Sequence, residues 1–482
     1  MAVFLQTEER RTAANAASIF GAEAVSRLTT FVMAMVIARR FGPQALGEYA
    51  YALAWVGILL VLPDMGSHLL TTRELAARPE RLSVALWRLM FLKAGLLAGV
   101  VVMTALLAEF AIHDEGRRLL FLILAARMIL HSVSLGCAAV FKAFERMHYI
   151  AVTQMVNGFA CFGALGVCLL LRTSLIAVVG VLVVGQAFET WLAWRILFRR
   201  FNPGPAPKWN WKPLAGLFSM AAPVGIVILL QTIGLRLDIL ILGIFAPNRE
   251  LGRLQAAAWF ITLSFLLATL LMTVLFPKLA RLGRFPGIER IRYVETLLQH
   301  GTLFAAALAA IAWLAAPYLI EAFFGKQFGS AISLLHILAP AIPFVFINTV
   351  LFYVFVAADR RKTYLVALSF SLVCGLVAAY VLAAHWGATG VVWADFEREF
   401  VECVLLLFCL DRACLIPNLG PALFKAAVWG ASFTAIAFAA GWVHNGEVCA
   451  AIWSFTTAAG LLVFAGPPRW RQIVLLAAGG RV

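Results

Sequence analysis

Residues 84–110 read VALWRLMFLKAGLLAGVVVMTALLAEF, and this stretch decides the class of fold. Its middle part, residues 94–108, holds no charged side chain. A bilayer core about 30 Å thick needs about 20 mostly apolar residues in one helix. Similar runs recur along the chain, which is 63% apolar and 13% charged over 482 residues, whereas soluble domains average about 45–50% and 25%. The sequence therefore predicts an all-α polytopic membrane protein.

About fourteen transmembrane helices are predicted from the apolar runs that lie between charged or Pro- and Gly-containing breaks. They lie near residues 14–38, 46–70, 84–110, 118–143, 149–171, 174–198, 214–244, 253–280, 293–320, 330–357, 363–385, 388–410, 421–443 and 447–466. A cleaved signal peptide is not expected, because Glu23 and Arg27 interrupt the first run. An even number of spans places both termini on the same side of the membrane.

The placement of basic residues predicts which side that is. About two thirds of the 39 Lys and Arg residues fall in the termini and one set of alternate loops, and few fall in the other set. Lys and Arg accumulate in short cytoplasmic loops. We therefore expect a multi-pass protein of the bacterial cytoplasmic (inner) membrane with both termini in the cytoplasm. The net charge of +15 is explained by topology, so no nucleic-acid partner is expected.

An internal repeat predicts two related halves. Residues 40–52 read RFGPQALGEYAYA and residues 244–257 read IFAPNRELGRLQAA. In both, an apolar helix ends in Phe, a Pro-containing turn follows, and Leu-Gly opens the next helix. Such repeats are common in secondary transporters. We expect two pseudo-symmetric lobes around a central cavity: an N-terminal lobe at 1–198, a cytoplasmic linker at 199–213, a C-terminal lobe at 214–410, and two further spans with a cytoplasmic tail at 411–482.

At these residues the chain resembles the polysaccharide-transporter, or O-antigen flippase, branch of the multidrug/oligosaccharidyl-lipid/polysaccharide exporter superfamily. The likeness covers most of the chain and departs from the family pattern at Leu254, where Tyr is frequent, and at Ala246, which replaces the Gly42 of the first repeat. The matching motifs are Ala38-Arg39-Arg40-Phe41-Gly42-Pro43, Leu46-Gly47-Glu48-Tyr49, Pro223, Asp238, Leu242-Gly243, Phe276-Pro277, Phe324-Gly325 and Trp386-Gly387-Ala388-Thr389-Gly390.

The resemblance implies a flippase that moves a polyprenyl-diphosphate-linked oligosaccharide from the cytoplasmic to the outer leaflet by alternating access, for O-antigen or exopolysaccharide biosynthesis. Its implied partners are this lipid-linked substrate, the surrounding membrane lipids and the polysaccharide polymerase machinery. An ion gradient of H⁺ or Na⁺, or the membrane potential, would drive transport.

Basic residues inside predicted spans are the candidates for substrate binding. A charge at mid-membrane costs about 2.5–3.5 kcal/mol on insertion scales, so it usually faces a watery cavity or a partner. Arginine suits a diphosphate because its planar fork pairs with phosphate oxygens. The predicted substrate-binding residues are Arg27, Arg236, Arg127 and Arg398. Lys93 is also intramembrane, but it lies within two or three turns of the cytoplasmic end of its span, and snorkelling is its alternative role.

Each candidate also has a purely structural explanation. Glu23 and Arg27 are four residues apart and form a self-neutralising pair on one helix face. His131 lies one turn from Arg127 and allows an interhelical hydrogen-bonded pair. Three carboxylates share a helix stripe with Arg398 and predict a salt-bridge network; they are Asp395, Glu399 and Glu402. The candidates for ion coupling are Glu23, Asp64 and Asp238, although helix capping is an alternative role for Asp64.

Two other functions are compatible with a polytopic chain of this kind. A cation-coupled drug or small-molecule exporter of the same superfamily is expected to have a cavity dominated by carboxylates and aromatics, whereas the deep charges here are mostly basic. A membrane oligosaccharide polymerase or ligase needs a large outer loop for catalytic groups, and the predicted outer loops are short. We therefore expect no enzyme activity, no catalytic residues and no cofactor. The eight cysteines show no zinc-binding spacing, so no metal site is expected.

Overall fold

The computed structural model describes residues 2–110, 112, 114–206, 211–283 and 288–412. Within these ranges every regular element is a helix, as the apolar runs predict. The α-helices are α1 Ala2–Leu59, α2 Ser67–Ala77, α3 Leu82–Phe110, α4 Glu115–Ala143, α5 His148–Leu170, α6 Leu175–Phe201, α7 Trp211–Gly234, α8 Leu237–Phe245, α9 Asn248–Gly283, α10 Ile288–Leu314, α11 Ala316–Phe324, α12 Ala331–Leu338, α13 Ile342–Ala357 and α14 Arg361–Arg412. Short 3₁₀ turns occupy Pro79–Arg81, Lys326–Phe328 and Ala339–Ala341.

Ten helical segments in the described part of the chain are long and apolar enough to cross a membrane. Two of them, α1 and α14, each join two helices across a kink. The α14 helix contains predicted spans eleven and twelve, and α1 contains span one and the first part of span two. The kinks lie at Gly42 (φ 85°) and Gly387 (φ 57°), where a positive φ is easiest for glycine. The first twelve predicted spans therefore correspond to helical segments. Predicted spans thirteen and fourteen lie outside the described residues.

Four predicted spans are interrupted, which corrects their expected continuity. In span two, α1 ends at Leu59 and α2 begins at Ser67, and Pro63 and Gly66 lie between them. Proline removes a backbone donor and disfavours helix in the residue before it. Span seven breaks between α7 and α8, directly after Gly234, and span ten contains a 3₁₀ turn at Ala339–Ala341. Span nine divides into α10 and α11 beside Pro317. Apolar composition predicts the length of these spans but not their breaks.

The two repeat motifs use different backbone geometry at their turns. In the first repeat, Gly42 adopts φ 85° and ψ −175°, a region that side chains with a Cβ atom rarely enter. In the second repeat, Ala246 stands at the matching position and α8 ends at Phe245, one residue before it. The two turns therefore reach the same change of helix direction with different residues at the matching position.

The chain divides into two compact units, residues 1–240 and a second unit that begins at Ile241. In the first unit, α6 packs against α4 and α5, and α1 packs against α4 and α5. The helix α7 contacts α1, α2 and α3. The beginning of the predicted linker is tied to α3, because Trp87 Nε1 donates a hydrogen bond to the Gly204 carbonyl oxygen at 3.2 Å.

The second unit is built around α13. This helix packs against α9, α10 and α14, and 89% of the apolar window in Ala331–Ala357 is buried. Small and aromatic side chains form part of this core, including Ala268, Ala305, Ala309, Ile342 and Phe346. Small residues let membrane helices approach closely.

Candidate functional site

Arg236 lies at the break in span seven. The helix α7 ends at Gly234 and α8 begins at Leu237, so the side chain projects from non-helical backbone. Its guanidinium group has no hydrogen bond or ion pair with any residue that the structure describes. Gly57 of span two faces it, because a Cβ atom at position 57 would lie 3.3 Å from Arg236 Nε. Glycine at this position therefore leaves room for the guanidinium group.

Arg127 lies on α4 and is the second guanidinium without a partner. Its Nε atom is buried and makes no hydrogen bond within the described ranges. The side chain lines a cavity of about 30 Å³ in the first unit, large enough for about two water molecules. The other lining residues are Ser26, Thr29, Thr30, His131, Gln154, Asn157, Gly158, Leu182, Gln186 and Glu189. A space of this size cannot hold an oligosaccharide.

The cavity beside Arg127 is polar and partly satisfied. Asn157 Nδ2 donates a hydrogen bond to Glu189 Oε2 at 2.7 Å, and Glu189 is 6% exposed. The buried Oε1 atoms of Gln154 and Gln186 have no hydrogen-bond partner among the described residues. Water molecules in this space would satisfy these acceptors and the Arg127 donor.

Arg27 forms the pair with Glu23 that the sequence suggests as its structural role. The Arg27 Nε and Glu23 Oε1 atoms are 2.8 Å apart, and the two side chains are 47% and 42% exposed. An exposed pair of this kind contributes about 0–1 kcal/mol.

Tyr49 connects the predicted arginines and was not identified from the sequence as a functional residue. It is 1% exposed, and its hydroxyl group has no hydrogen-bond partner among the residues with described side chains. The charges of Arg127 and Arg236 both act on this hydroxyl group, and the charge of Arg27 acts on Arg236. We name the three predicted substrate-binding residues that these electrostatic interactions connect the arginine cluster: Arg27, Arg127 and Arg236.

Arg398, the fourth predicted residue, lies in the second unit in a different electrostatic environment. Its guanidinium group is 2.8 Å from Glu399 Oε1 and 3.9 Å from both Asp395 Oδ1 and Glu402 Oε2. Asn348 of α13 adds a hydrogen bond to Glu399 Oε2 at 2.9 Å. The contacts with Asp395 and Glu402 are the pairs that the spacing along the helix predicts. Three carboxylates around one guanidinium group disfavour an anionic ligand.

Asp64 lies in the break of span two and holds an internal cation. Its carboxylate accepts hydrogen bonds from Lys93 Nζ at 2.5 Å and from the Gly66 backbone amide at 3.1 Å, and it also pairs with His68. Asp64 and Lys93 are 5% and 3% exposed. The alternative that Lys93 snorkels is therefore wrong: its ammonium group is buried with Asp64, which lies 29 residues away in the sequence.

Asp238 lies in the first turn of α8, two residues after Arg236. The carboxylate is one of the charges that act on the Arg236 guanidinium group. Both Asp64 and Asp238 thus lie at interrupted spans. Among the residues that the structure describes, no group of three or more His, Cys, Asp or Glu residues could hold a metal ion.

Spans two and seven touch through their backbones near Asp64. Met65 and Gly66 adopt left-handed conformations with φ 42° and 77°. Gly225 of α7 packs directly on this turn, because a Cβ atom at position 225 would lie 2.6 Å from the Met65 carbonyl carbon and oxygen. The backbone turn in the break of span two therefore lies in direct contact with α7 at Gly225.

The fold is shared with solved membrane transporters. One is "Lipid II flippase MurJ, inward closed conformation", with a TM-score of 0.70 and 14% identity over 95% of this chain and 99% of that chain. Another is an inward-facing multidrug resistance MATE family transporter of the MOP superfamily, with a TM-score of 0.66 and 12% identity over 80% of this chain and 94% of that chain. A third is a eukaryotic MATE transporter, AtDTX14, with a TM-score of 0.63 and 13% identity over 84% of this chain and 96% of that chain. The class is therefore a polytopic membrane protein with the flippase and exporter fold.

The family follows from the sequence match. The family model described as "Polysaccharide biosynthesis protein" matches residues 12–283, and the chain belongs to this family. No curated protein sequence matches the chain significantly. The predicted resemblance and the predicted fold class are confirmed.

Proposed function

We propose that the protein is a flippase that translocates a polyprenyl-diphosphate-linked oligosaccharide from the cytoplasmic to the outer leaflet of the bacterial cytoplasmic membrane by alternating access. Membership of the polysaccharide biosynthesis family supports this substrate class. The fold that the chain shares with a lipid II flippase supports lipid translocation.

The observation that carries the proposal is the arginine cluster. Arg127 and Arg236 form no salt bridge with a described carboxylate, although the charges of Glu189 and Asp238 act on them. Both arginines lie in predicted membrane spans, and their charges act on one buried hydroxyl group. Unpaired cations in a membrane protein mark substrate or ion pathways. A diphosphate supplies the acceptor oxygens that guanidinium groups pair with in two-point geometry.

The competing function is export of a drug or small molecule, which the shared MATE fold allows. The charge of the arginine cluster favours an anionic headgroup over the cations that carboxylate-lined cavities would select. Arg398, which carboxylates surround, is not assigned to substrate in this proposal.

Ion coupling by H⁺ or Na⁺ remains part of the proposal, with Glu23, Asp64 and Asp238 as candidates. Asp238 is the preferred one, because it neighbours Arg236, so substrate binding and ion binding would act on each other. Collaboration with polysaccharide polymerase machinery is also proposed.

The test is complementation of a strain that lacks this protein. Arg127→Ala and Arg236→Ala should abolish surface-polysaccharide assembly and leave the lipid-linked oligosaccharide in the cytoplasmic leaflet, while membrane abundance is unchanged. Arg200→Ala, at the exposed cytoplasmic end of α6, is the matched control and should assemble polysaccharide normally. Normal assembly with both cluster variants would refute the proposed site.

A further inference from the structure

The Tyr49 hydroxyl group is an unexplained buried polar atom. Tyr49 is 1% exposed, and its oxygen makes no hydrogen bond with any described residue. A buried polar group without a partner typically costs about 1–3 kcal/mol, and such groups are few in native proteins. A phenylalanine at this position would avoid that penalty. The hydroxyl group therefore points to a hydrogen-bond partner outside the described side chains, such as a ligand.

The surroundings of this hydroxyl group are rich in donors. Arg127 and Arg236 are the cations whose charges act on Tyr49, and guanidinium groups can only donate hydrogen bonds. Arg127 Nε is also buried without an acceptor in the part of the chain that the structure describes. Two guanidinium groups and one phenol in this neighbourhood therefore make no hydrogen bond with the described residues around them.

Arg236 and Arg127 both approach α1, the helix that carries Tyr49. Arg236 packs against Gly57, which lies eight residues after Tyr49, or about 12 Å along the helix axis. The helix α1 also packs against α4, which carries Arg127. The helix α1, which carries the Tyr49 hydroxyl group, thus contacts both α4, the helix of Arg127, and the Arg236 side chain at the break of span seven.

We propose that Tyr49 is a substrate-binding residue whose hydroxyl group donates a hydrogen bond to the diphosphate, beside Arg127 and Arg236. This inference rests on the proposed function and adds a neutral donor to it. Three donors on different helices match the several oxygens of a diphosphate better than the fewer oxygens of a monophosphate. A group that is buried in one state of an alternating-access transporter becomes accessible in another, which gives the substrate access to Tyr49.

The test compares Tyr49→Phe with wild-type protein, using the full chain in nanodiscs of zwitterionic lipid. Isothermal titration calorimetry would measure binding of farnesyl diphosphate, farnesyl monophosphate and inorganic pyrophosphate. A hydrogen bond to a charged group predicts that Tyr49→Phe binds farnesyl diphosphate about tenfold more weakly, with a smaller loss for the monophosphate. Binding of farnesyl diphosphate but not of pyrophosphate identifies a lipid headgroup as the ligand, and equal binding of both identifies the diphosphate group alone.

Tyr51→Phe is the matched control. Tyr51 lies two residues further on the same helix, and its ring packs against Arg117 at 4.4 Å, a contact that phenylalanine keeps. This variant should bind like wild type. Thermal unfolding separates binding from structure, because removal of an unpaired hydroxyl group should leave the melting temperature of Tyr49→Phe unchanged or higher.

The outcomes distinguish this inference from the function on which it rests. If Arg127→Ala and Arg236→Ala lose affinity while Tyr49→Phe binds like wild type, the role of Tyr49 is refuted and the proposed function stands. If both arginine variants also bind like wild type, or the wild-type protein binds none of the probes, both proposals fail.

Discussion

Gly57 and Arg236 occupy adjoining space between spans two and seven: a Cβ atom at position 57 would lie 3.3 Å from Arg236 Nε. Glycine at this position therefore determines where the guanidinium group can lie. Any side chain at position 57 competes with Arg236 for the same volume, and a larger one must displace it.

We expect Gly57→Leu to displace Arg236 and to reduce flipping about tenfold or more, because a charge-assisted hydrogen bond contributes about 1.5–3 kcal/mol. Gly57→Ala should have a smaller effect, since the long arginine side chain can yield. Transport of lipid-linked oligosaccharide in reconstituted vesicles measures both. Gly95→Ala is the control, because no atom lies within 4 Å of a Cβ atom there. Unimpaired flipping by Gly57→Leu would contradict the assigned position of Arg236.

Lys93→Met should destabilise the first unit. The substitution removes the Lys93 ammonium group and leaves His68 as the remaining side-chain partner of the buried Asp64 carboxylate. Breaking one side of a buried ion pair costs about 3–5 kcal/mol. Thermal unfolding in detergent measures this loss. The double variant Asp64→Asn with Lys93→Met should recover much of the stability, because neither charge then remains. Equal melting temperatures for Lys93→Met and wild type would show that the buried pair does not form.

Gly225→Ala tests the contact between α7 and the break in span two. The added methyl group would lie 2.6 Å from Met65 backbone atoms, so a helix must shift at a cost of about 1–3 kcal/mol. Gly216→Ala on the same helix meets no atom within 4 Å and should be neutral or stabilising. A lower melting temperature is expected for Gly225→Ala alone. Equal melting temperatures for Gly225→Ala and Gly216→Ala would show that α7 does not pack against Met65.

Glu23→Gln should change stability by less than about 1 kcal/mol, because the Glu23–Arg27 pair is exposed. The substitution also removes an anion that competes for Arg27, so affinity for farnesyl diphosphate should stay the same or rise. Calorimetric titration of Glu23→Gln against wild type checks this. Arg27→Ala is the companion variant and should bind more weakly. A weaker affinity in Glu23→Gln would instead assign Glu23 a direct role at the site.

The sequence could single out the charged candidates because charge is conspicuous in apolar segments. Arg27, Arg127 and Arg236 interrupt apolar runs, and their assignment to a substrate site stays a proposal. Tyr49 could not be recognised from the sequence, because aromatic residues are common in the apolar helices that form a protein core. Its unpaired hydroxyl group becomes visible only when the surrounding helices are in place.

The pairing of Lys93 with Asp64 could not be predicted for a related reason. Helix periodicity relates residues three or four apart, whereas these two are 29 residues apart and meet only because α2 and α3 pack together. The stripe around Arg398 was accessible to sequence reasoning, since its partners lie on its own helix. Ion pairs within one helix can be predicted from the spacing of residues in the sequence. Ion pairs between helices can be identified only when the packing of the helices is known.

The burial of α13 affects how the protein is made. Asn348 donates hydrogen bonds to Glu399, which lies 51 residues later in the chain. During synthesis α13 leaves the ribosome first, so this amide is inserted before its acceptor has been translated. An unsatisfied polar group in hydrocarbon is unfavourable, and the nascent helix therefore needs a temporary partner, such as the translocon or retained water, until α14 arrives.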